Sequence, residues 1–391
     1  MYYIGVDLGT SAVKLILMDK EGNVVKTVSR EYPLYFPKPG WSEQNPSDWY
    51  ENAVEGIKEL TDGVDAAQVA GISFGGQMHG LVILDKDNEV IRPAILWNDG
   101  RTTKECEYLN NTIGKDKIAE YTANIAFAGF TAPKILWLRE NEPENFKKIY
   151  KWLDIKEYLI LRASGEFVMT QDSAFGTLLY DTRKGHECWC KPVCDMVGVK
   201  MEHLAPIKKS TEKVGEVTES AAKELGLAPG TAVYGGGGDA SLIGVGAGAT
   251  EVGDTHIYSG TSGWVGTVVE KQTVDTGAMI AAIVGADPDT FNYFAELETS
   301  NKCVGWVKDH LALDEIGVFL KKYGNAADSL EQTEFNLYDY LEEVIDTVPA
   351  GSNGVVFTPW LHGNRCPFED PNAAGMFFNI RLETGKTELI R

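Results

Sequence analysis

The chain has 391 residues, more than one hydrophobic core commonly holds, so we expect two domains. Hydrophobic residues make up 43% and charged residues 24%, which predicts a soluble globular fold. The formal net charge of −21 argues against nucleic acids and anionic membranes as partners, and any bound polyanion must be held locally by backbone N–H groups and a divalent cation. The first residues lack a basic and apolar leader pattern, and no apolar run reaches the length of a membrane span, so we expect a cytoplasmic location.

The start of the chain reads as two apolar runs joined by a turn. The first run ends at Asp7, the turn is Gly9-Thr10-Ser11, and the second run ends at Asp19. This pattern predicts a β-hairpin whose turn offers backbone N–H groups and two hydroxyls to an anion, with the carboxylate of Asp7 beside them. Such a turn suits the phosphates of a nucleotide and their metal ion, although an ordinary Gly-Thr-Ser turn remains the alternative.

A second stretch repeats this design in the later part of the chain, where apolar runs flank Gly260-Thr261-Ser262-Gly263. Two hairpins of this kind, one on either side of the middle, predict a duplicated domain with a nucleotide held between the halves. In this interpretation Asp7 supplies the carboxylate that a metal ion needs.

Strands and helices alternate along the chain, which is typical of an α/β architecture. Thr102 and Glu105 match a capping box at the start of one helix. The remaining pattern predicts strands at 24–30, 69–74, 81–84, 91–96 and 354–358, and helices at 49–60, 131–138, 154–162, 301–311 and 337–345.

The loop Gln77-Met78-His79 lies between two predicted buried strands, where functional side chains tend to gather. His79 could donate a hydrogen bond to a sugar hydroxyl, and Met78 could pack against the face of a sugar. A lone histidine after a strand is more often a satisfied loop residue, which is the alternative interpretation.

A second polar loop, at 97–101, directly follows the predicted strand at 91–96. Carbohydrate sites use aromatic surfaces for C–H faces and amides or carboxylates for hydroxyls, and Trp97, Asn98 and Asp99 offer these groups. A buried Trp97 with a local ion pair between Asp99 and Arg101 is the alternative.

The cysteines raise the question of a metal site. His186, Cys188, Cys190 and Cys194 place four potential soft ligands within a short stretch. A Cys-x-Cys spacing is tighter than that of common zinc sites, and no second Cys-x₂-Cys pair completes a cage. Reduced, half-buried thiols are therefore preferred over a metal site, and both interpretations stay open.

Four consecutive glycines, at 235–238, precede Asp239 and follow an apolar strand at 231–234. Without side chains, this stretch lets a substrate or phosphate approach the backbone closely. Asp239 beside such an opening is a candidate general base toward a substrate hydroxyl. A glycine-rich turn, with Asp239 capping a helix at 240–245, is an equally supported alternative.

Together these motifs resemble the FGGY carbohydrate kinases, in the same order and over the whole chain. The Gln-Met-His triplet is the most specific marker, because that position faces the sugar and differs among family members with different substrates. The markers lie at 5–11 (GVDLGTS), 41–44 (WSEQ), 76–80 (GQMHG), 96–101 (LWNDGR), 129–134 (GFTAPK), 237–239 (GGD) and 260–263 (GTSG).

The resemblance implies an actin-like ATPase fold of the α/β class, with duplicated domains on RNase H-type sheets and an active site in the interdomain cleft. Its N-terminal domain would span 1–245 and its C-terminal domain 246–391, since the composition shifts to Gly and Ala near residue 246. ATP and Mg²⁺ are the implied cofactors, and the turns Gly9-Thr10-Ser11 and Gly260-Thr261-Ser262 would flank the ATP phosphates.

The resemblance also implies the reaction and its residues. A ketopentose, D-xylulose before others, would be phosphorylated by ATP to D-xylulose 5-phosphate. Asp239 would be the catalytic base, and Asp7 would lie near Mg²⁺ and the transferring phosphoryl group. Met78, His79 and Trp97 would contact the sugar, together with Asp239.

The sequence departs from the family at three points. Family members continue beyond the position of Arg391 with a glycine-rich motif that forms much of the adenosine pocket, so we expect that part of the pocket to be missing and an apolar face to favour a homodimer. Ala240 stands where xylulose-phosphorylating members commonly carry Asn, and Asn364 stands in place of a Glu. Two alternatives therefore stay open: a kinase for another ketose or polyol, and a sugar-binding fragment without turnover. The presence of both Asp7 and Asp239 favours catalysis.

Overall fold

The computed structural model describes residues 1–260, 262–275, 278, 280–287, 289–312, 314–315, 317–318, 321, 337–364, 366–368, 370 and 372–391. Two compact units divide the chain. Unit 1 comprises Met1–Thr255, Thr267–Val274 and Ala281–Tyr293, and unit 2 comprises His256–Gly266, Asp275–Ile280 and Phe294–Arg391. Because the units interleave along the chain between residues 255 and 294, the domain junction near residue 246 stays a prediction.

The strands are β1 Tyr2–Leu8, β2 Ala12–Asp19, β3 Val24–Glu31, β4 Glu43–Gln44, β5 Val69–Gly76, β6 Val82–Leu84, β7 Ala94–Ile95, β8 Lys151–Leu153, β9 Met169–Thr170, β10 Tyr180–Asp181, β11 Cys188–Trp189, β12 Ile207–Lys208, β13 Lys213–Glu216, β14 Ala232–Gly238, β15 Thr255–Ser259, β16 Gly263–Val269, β17 Val274–Asp275, β18 Ile280–Val284, β19 Phe291–Leu297, β20 Val356–Thr358 and β21 Met376–Phe378.

The α-helices span Pro46–Leu60, Thr103–Glu107, Lys115–Thr122, Thr131–Asn141, Pro143–Phe146, Ile155–Ser164, Gln171–Phe175, Lys191–Val197, Glu219–Leu225, Asp239–Gly246, Lys302–His310, Leu337–Ile345 and Lys386–Ile390. A π-helical segment spans Tyr108–Gly114, and short 3₁₀ turns span Ala66–Gln68, Met201–His203 and Ser352–Gly354.

The six-stranded sheet of unit 1 has the strand order β13-β14-β5-β1-β2-β3. Strands β1, β2 and β3 form an antiparallel meander, because short turns join them, whereas β5 and β14 run parallel to β1. Three antiparallel strands continued by two parallel ones are the RNase H-type arrangement that the resemblance implies.

Alternating side chains along the strands build the core of this sheet. Ile4 and Leu8 of β1 are at most 2% exposed, as expected for the inward face of a strand. Helix Pro46–Leu60 packs on β2 and β3. The helix comes close because Gly56 has no side chain: a Cβ there would lie 2.6 Å from Cδ1 of Leu15. Larger residues at position 56 would therefore push the helix away from the sheet.

Most predicted elements are confirmed, including the first hairpin and the helices at 49–60, 131–138 and 154–162. The strand predicted at 91–96 is reduced to Ala94–Ile95. The capping box is wrong: the Thr102 side chain accepts no capping hydrogen bond from the backbone of the helix that follows, and its hydroxyl donates instead to the carbonyl of Ala128 at 3.1 Å. This tertiary partner takes the hydroxyl that the local pattern assigned to the helix.

The four glycines before Asp239 belong to strand β14, so the turn interpretation is wrong. Gly236 has a φ of +65°, and the pairing register with β5 shifts between Tyr234 and Gly237, which marks a bulge. A Cβ on Gly236 would lie 1.9 Å from the carbonyl oxygen of Phe74. The glycines thus allow β14 to pass very close to β5.

A five-stranded sheet has the order β15-β16-β19-β18-β17, and β20 pairs antiparallel with β21. The second predicted hairpin corresponds to β15 and β16, which neighbour each other in that sheet. In the part of the chain that the structure describes, no helix combines the length and apolar character needed to cross a bilayer.

Candidate active site

Three neighbouring parallel strands of unit 1 end at the same edge of the sheet. Asp7 near the end of β1, Gly75 of β5 and Gly237 of β14 are in register across these strands. Adjacent strands lie about 5 Å apart, so the backbones at Asp7 and Gly237 are separated by about 10 Å. The loops that leave these strand ends therefore converge, as is usual for ligand sites in open α/β sheets.

Asp7 contributes a solvent-accessible carboxylate to this edge. Although Asp7 is exposed at its outer side, the protein atoms around it partly desolvate the carboxyl and raise its pKa, while the positive charge of Lys14, its cross-strand neighbour, acts in the opposite direction. The negative charge of Asp7 in turn helps burial to raise the pKa of Tyr32. The Tyr32 hydroxyl stays protonated and donates to the carbonyl of Gly9, which supports the turn after β1.

The turn Gly9-Thr10-Ser11 joins β1 to β2, as predicted. Within the described residues, the backbone N–H groups of Thr10 and Ser11 donate no hydrogen bond, so both can receive an anion. The Thr10 hydroxyl is already used: it accepts from Nε1 of Trp97 at 3.0 Å and donates to Oε1 of Gln77 at 3.3 Å. A hydroxyl has only one proton to donate, so the Thr10 side chain does not donate to an anion. It connects the turn to Trp97 and Gln77 instead.

The loop after β5 is fixed by buried polar side chains. Gln77 is 3% exposed, and its backbone N–H donates to the carbonyl of Leu8 at 2.8 Å. Its side chain donates to Gln44 at 2.9 Å, and Gln44 donates to the carbonyl of Thr10 at 2.7 Å. This network ties the loop to the turn after β1.

Met78 is 8% exposed and lies directly against β14. A Cβ on Gly238 would be 2.3 Å from Cγ of Met78, so only glycine leaves room for this thioether. Since Gly238 precedes Asp239, the Met78 thioether lies next to the strand end that leads to Asp239.

Hydrogen bonds and a ring contact fix both the backbone and the imidazole of His79. Its φ is +65°, which is uncommon for a residue with a side chain. Its N–H donates to Oδ2 of Asp154 at 2.9 Å, and its carbonyl accepts from Nζ of Lys134 at 2.6 Å. Its Nδ1 lies 2.9 Å from the carbonyl of Gly176, and a carbonyl only accepts, so Nδ1 carries the proton. The ring packs edge-on against Phe130.

Lys134 and Asp154 are both fully buried, and sequence reasoning assigned neither of them a role. Burial lowers the pKa of Lys134, against the opposing effects of Asp154 and Asp99. Burial also raises the pKa of Asp154, and the nearby charge of Glu157 adds to this rise. Burying such groups costs free energy unless they are well paired, so their position around His79 indicates that the conformation of this loop is important.

Asp239 is the first residue of helix Asp239–Gly246, with Gly238 as the N-cap. The side chain is half-buried, and its Oδ1 accepts from the backbone N–H of Ala240 at 2.8 Å. A helix N-terminus stabilises a carboxylate. The carboxylate thus follows the end of β14 at the edge that also carries Asp7 and Met78.

Trp97 is 37% exposed, so the interpretation of a core tryptophan is wrong. The predicted ion pair is confirmed: Nη2 of Arg101 lies 2.7 Å from Oδ2 of Asp99, and the guanidinium stacks 3.7 Å from the ring centre of Trp41. Asp99 also accepts from the backbone N–H of Ser42 at 2.6 Å. These buried contacts fix the loop from which the indole of Trp97 reaches Thr10.

The second turn lies in unit 2. The N–H of Gly260 donates to the carbonyl of Ser262 at 2.9 Å, and the carbonyl of Gly260 accepts from Asn301 at 2.7 Å, next to helix Lys302–His310. Thr261 lies outside the described residues. A role of Gly260, Thr261 and Ser262 in phosphate binding stays a prediction.

Among the residues that the structure describes, no three or more His, Cys, Asp or Glu side chains lie close enough together to hold a metal ion. The cysteine stretch therefore shows no metal site in this part of the chain. Cys190 and Cys194 are buried, and Cys188 is exposed. Burial raises the pKa of Cys194 to about 12, so this thiol is protonated at neutral pH. His186 lies 3.9 Å from Asp181 instead.

Comparison with known proteins agrees with this architecture. The family model for the N-terminal domain of FGGY carbohydrate kinases matches residues 2–246, and that for the C-terminal domain matches residues 256–391. The xylulose kinase of Bacillus subtilis is 37% identical over 382 residues, which cover 97% of this chain and 72% of the relative. The xylulose kinase of Escherichia coli is 32% identical over 389 residues, with 100% of this chain and 75% of the relative covered.

Solved structures give the same result. A ligand-bound xylulose kinase from Lactobacillus acidophilus has a TM-score of 0.85 and 28% identity, and it covers all of this chain, which spans 74% of that structure. A gluconate kinase from the same species also has a TM-score of 0.85 and 28% identity. The match covers 100% of this chain and 74% of that structure.

The sheet and the residues at its edge thus define an actin-like, two-domain kinase fold. The chain belongs to the FGGY family of carbohydrate kinases. It is a carbohydrate kinase, which binds a sugar and ATP and phosphorylates the sugar.

Proposed function

We propose that this kinase transfers the γ-phosphoryl group of ATP to the terminal hydroxyl of D-xylulose and forms D-xylulose 5-phosphate. The observation that carries the proposal is the shared edge of β1, β5 and β14, where Asp7, the loop 77–79 and Asp239 converge. The xylulose kinases at 37% and 32% identity support the choice of sugar.

The sugar would lie between Met78, His79 and Trp97. Met78 offers an apolar surface over Gly238, and the half-exposed indole of Trp97 offers a second one. Sugars present C–H faces to such surfaces and hydroxyls to polar groups. The rigid support of His79 by Lys134 and Asp154 suits a residue that must hold a hydroxyl in one orientation.

Asp239 would act as the general base. As the terminal hydroxyl oxygen forms its bond to the γ-phosphorus, its proton passes to the carboxylate of Asp239. The bond between the γ-phosphorus and the bridging oxygen breaks, and ADP leaves with that electron pair. The position of Asp239 directly after Gly238, against which Met78 packs, supports this role, because it brings the base and the candidate sugar loop to the same strand end.

Mg²⁺ fits the donor set at this edge as an ion carried by ATP. Asp7 is a single accessible carboxylate, and no cluster of three ligands occurs among the described residues. Mg²⁺ is commonly held by one or two carboxylates together with substrate phosphates. Asp7 would hold the ion, which offsets the negative charge of the transferring phosphoryl group. The N–H groups of Thr10 and Ser11 would receive phosphate oxygens.

A second substrate class deserves a direct comparison, because the gluconate kinase structure matches this chain as well as the xylulose kinase structure does. Ala240 follows Asp239, and its methyl group offers no hydrogen bond to a sugar. A kinase for another ketose or polyol, or for a sugar acid such as gluconate, is therefore the second candidate.

The proposal is tested by a coupled ADP-release assay of this chain with Mg-ATP and D-xylulose, D-ribulose, D-gluconate or glycerol. We expect the highest kcat/KM with D-xylulose and a phosphate at C5 in the product NMR spectrum. A higher kcat/KM for D-ribulose, D-gluconate or glycerol would assign the second candidate. Sugar binding by calorimetry without ADP release would instead assign a sugar-binding protein.

A further inference from the structure

A single short segment contacts both sides of the candidate sugar site. This segment, residues 170–176, includes helix Gln171–Phe175. Oδ2 of Asp172 accepts a 2.6 Å hydrogen bond from the backbone N–H of Gly238, the residue before Asp239. At the other end, the carbonyl of Gly176 accepts from Nδ1 of His79. The segment therefore bonds to the strand that leads to the candidate base and to the candidate sugar-binding histidine.

Asp172 is fully buried and its second oxygen is also engaged. Oδ1 accepts from the hydroxyl of Thr170 at 2.5 Å and from the hydroxyl of Ser210 at 3.4 Å. The Thr170 hydroxyl accepts from Nζ of Lys156 at 2.7 Å, and Lys156 forms an ion pair with the buried Glu157. A carboxylate with partners on both oxygens has a fixed orientation.

The strand end that Asp172 holds has no side chains of its own to fix it. Residues 235–238 are all glycine, and Gly236 lies in a bulge with a positive φ. Nζ of Lys156 donates to the carbonyl of Gly235 at 3.3 Å, so the same buried network holds the strand at two points. A Cβ on Gly237 would lie 2.9 Å from Oδ2 of Asp172, which shows how closely the carboxylate approaches.

We propose that Asp172 is a positioning residue for phosphoryl transfer, because its hydrogen bond to Gly238 sets the place of the Asp239 carboxylate. This inference rests on the proposed role of Asp239 as the base. Asp172 itself does not touch the sugar or ATP. Because a misplacement of a catalytic group by about 1 Å can cost roughly 100-fold in rate, the loss of this bond should reduce kcat more than it changes sugar affinity.

The test compares Asp172→Ala, Asp172→Asn and Asp239→Asn in steady-state kinetics with D-xylulose and Mg-ATP. We expect Asp172→Ala to lower kcat by about 10- to 100-fold with the KM for sugar within about threefold. Asp172→Asn keeps an oxygen acceptor for Gly238 and should recover most of the lost kcat. Asp181→Ala is the matched control, because Asp181 is also a buried aspartate but pairs with Arg183.

The outcomes separate the two proposals. If Asp239→Asn is inactive while Asp172→Ala keeps the wild-type kcat, the positioning role is overturned and the base stands. If Asp239→Asn turns over normally, both are overturned. Should Asp172→Ala not fold, Asp172→Ser keeps a polar group in the network but is too short to reach Gly238. It should show the same loss of kcat, and a wild-type kcat in that variant overturns the positioning role.

Discussion

The indole N–H of Trp97 donates a 3.0 Å hydrogen bond to the hydroxyl of Thr10, which joins the proposed sugar side of the site to the proposed phosphate turn. The same hydroxyl donates to Gln77, in the loop that leads to Met78 and His79. Three segments that are distant in sequence thus share one hydroxyl group. Their relative positions, rather than any one motif, define the site.

Thr10→Val should weaken sugar binding more than ATP binding. The substitution keeps the shape of the side chain but removes the partner of Trp97 and Gln77, while the backbone N–H groups of the turn remain. A hydrogen bond is worth about 1 kcal/mol, so the KM for D-xylulose should rise roughly fivefold. Steady-state kinetics with each substrate varied measure this. Thr10→Ser retains the hydroxyl and is the control; an equal rise of the KM for ATP in the valine variant would contradict the linking role.

Asp7→Asn should abolish turnover and yet stabilise the protein without ligand. The pKa of Asp7 in the folded protein lies above its ordinary value of 3.8. At a pH above the folded-state pKa, the ionised carboxylate therefore lowers the free energy of unfolding. At a pH below about 3.8 the carboxyl is protonated in both states, and this destabilisation is absent. The gain in the urea midpoint of Asp7→Asn should therefore be present at pH 8 and shrink as the pH falls. Lys14→Gln removes the opposing charge and should lower the midpoint at pH 8. A destabilised Asp7→Asn at pH 8 would refute this account.

Gly176→Ala should impair sugar binding through His79. The backbone at Gly176 is helical, with φ −63°, so alanine fits the conformation, but its Cβ would lie 2.5 Å from Nδ1 of His79. The imidazole must move and lose its hydrogen bond, so the KM for D-xylulose should rise roughly fivefold. In Gly305→Ala the new methyl group meets open space, so this variant is the control. An unchanged KM in Gly176→Ala would indicate that the position of His79 does not matter.

Lys134→Met should be strongly destabilising. Lys134 is buried and holds the carbonyls of His79 and Gly129, each at 2.6 Å, while Asp154 holds the N–H of His79. Lys134→Met leaves these two partly buried carbonyls without their donor, and a buried polar group without a partner costs about 1–3 kcal/mol. Urea unfolding of Lys134→Met, Asp154→Asn and the double variant measures the coupling. We expect the double variant to be less destabilised than the sum of the single ones; strict additivity would show that the two charges act independently.

The sequence was sufficient for features that depend on local patterns. The hairpin of β1 and β2 and the helices predicted at 49–60 and 154–162 follow from the apolar patterns of these segments. The sequence also predicted the position of Asp239 directly after a glycine-rich stretch, although these glycines belong to strand β14 and not to a turn. Their conformation is imposed by the neighbouring strand β5, which no local pattern reports.

The buried polar contacts around the site could not be predicted in this way. Asp172 and Gly238 lie 66 positions apart, and Asp154 and His79 lie 75 apart. Each aspartate sits in or next to a helix start, where the ordinary expectation is a local cap. Only the tertiary fold brings the Oδ2 atoms of Asp172 and Asp154 to the N–H groups of Gly238 and His79. The composition and spacing of the sequence therefore carry no signal for these contacts.

The most direct test of the central claim is the rate of phosphoryl transfer from Mg-ATP to D-xylulose by Asp239→Asn in a single-turnover experiment, with sugar affinity measured by calorimetry. Loss of a general base costs about 10²- to 10⁴-fold in rate, and the amide keeps the size of the side chain, so we expect this loss with sugar affinity changed by only a few-fold. A transfer rate within about threefold of the wild-type rate would contradict the assignment of Asp239 as the base.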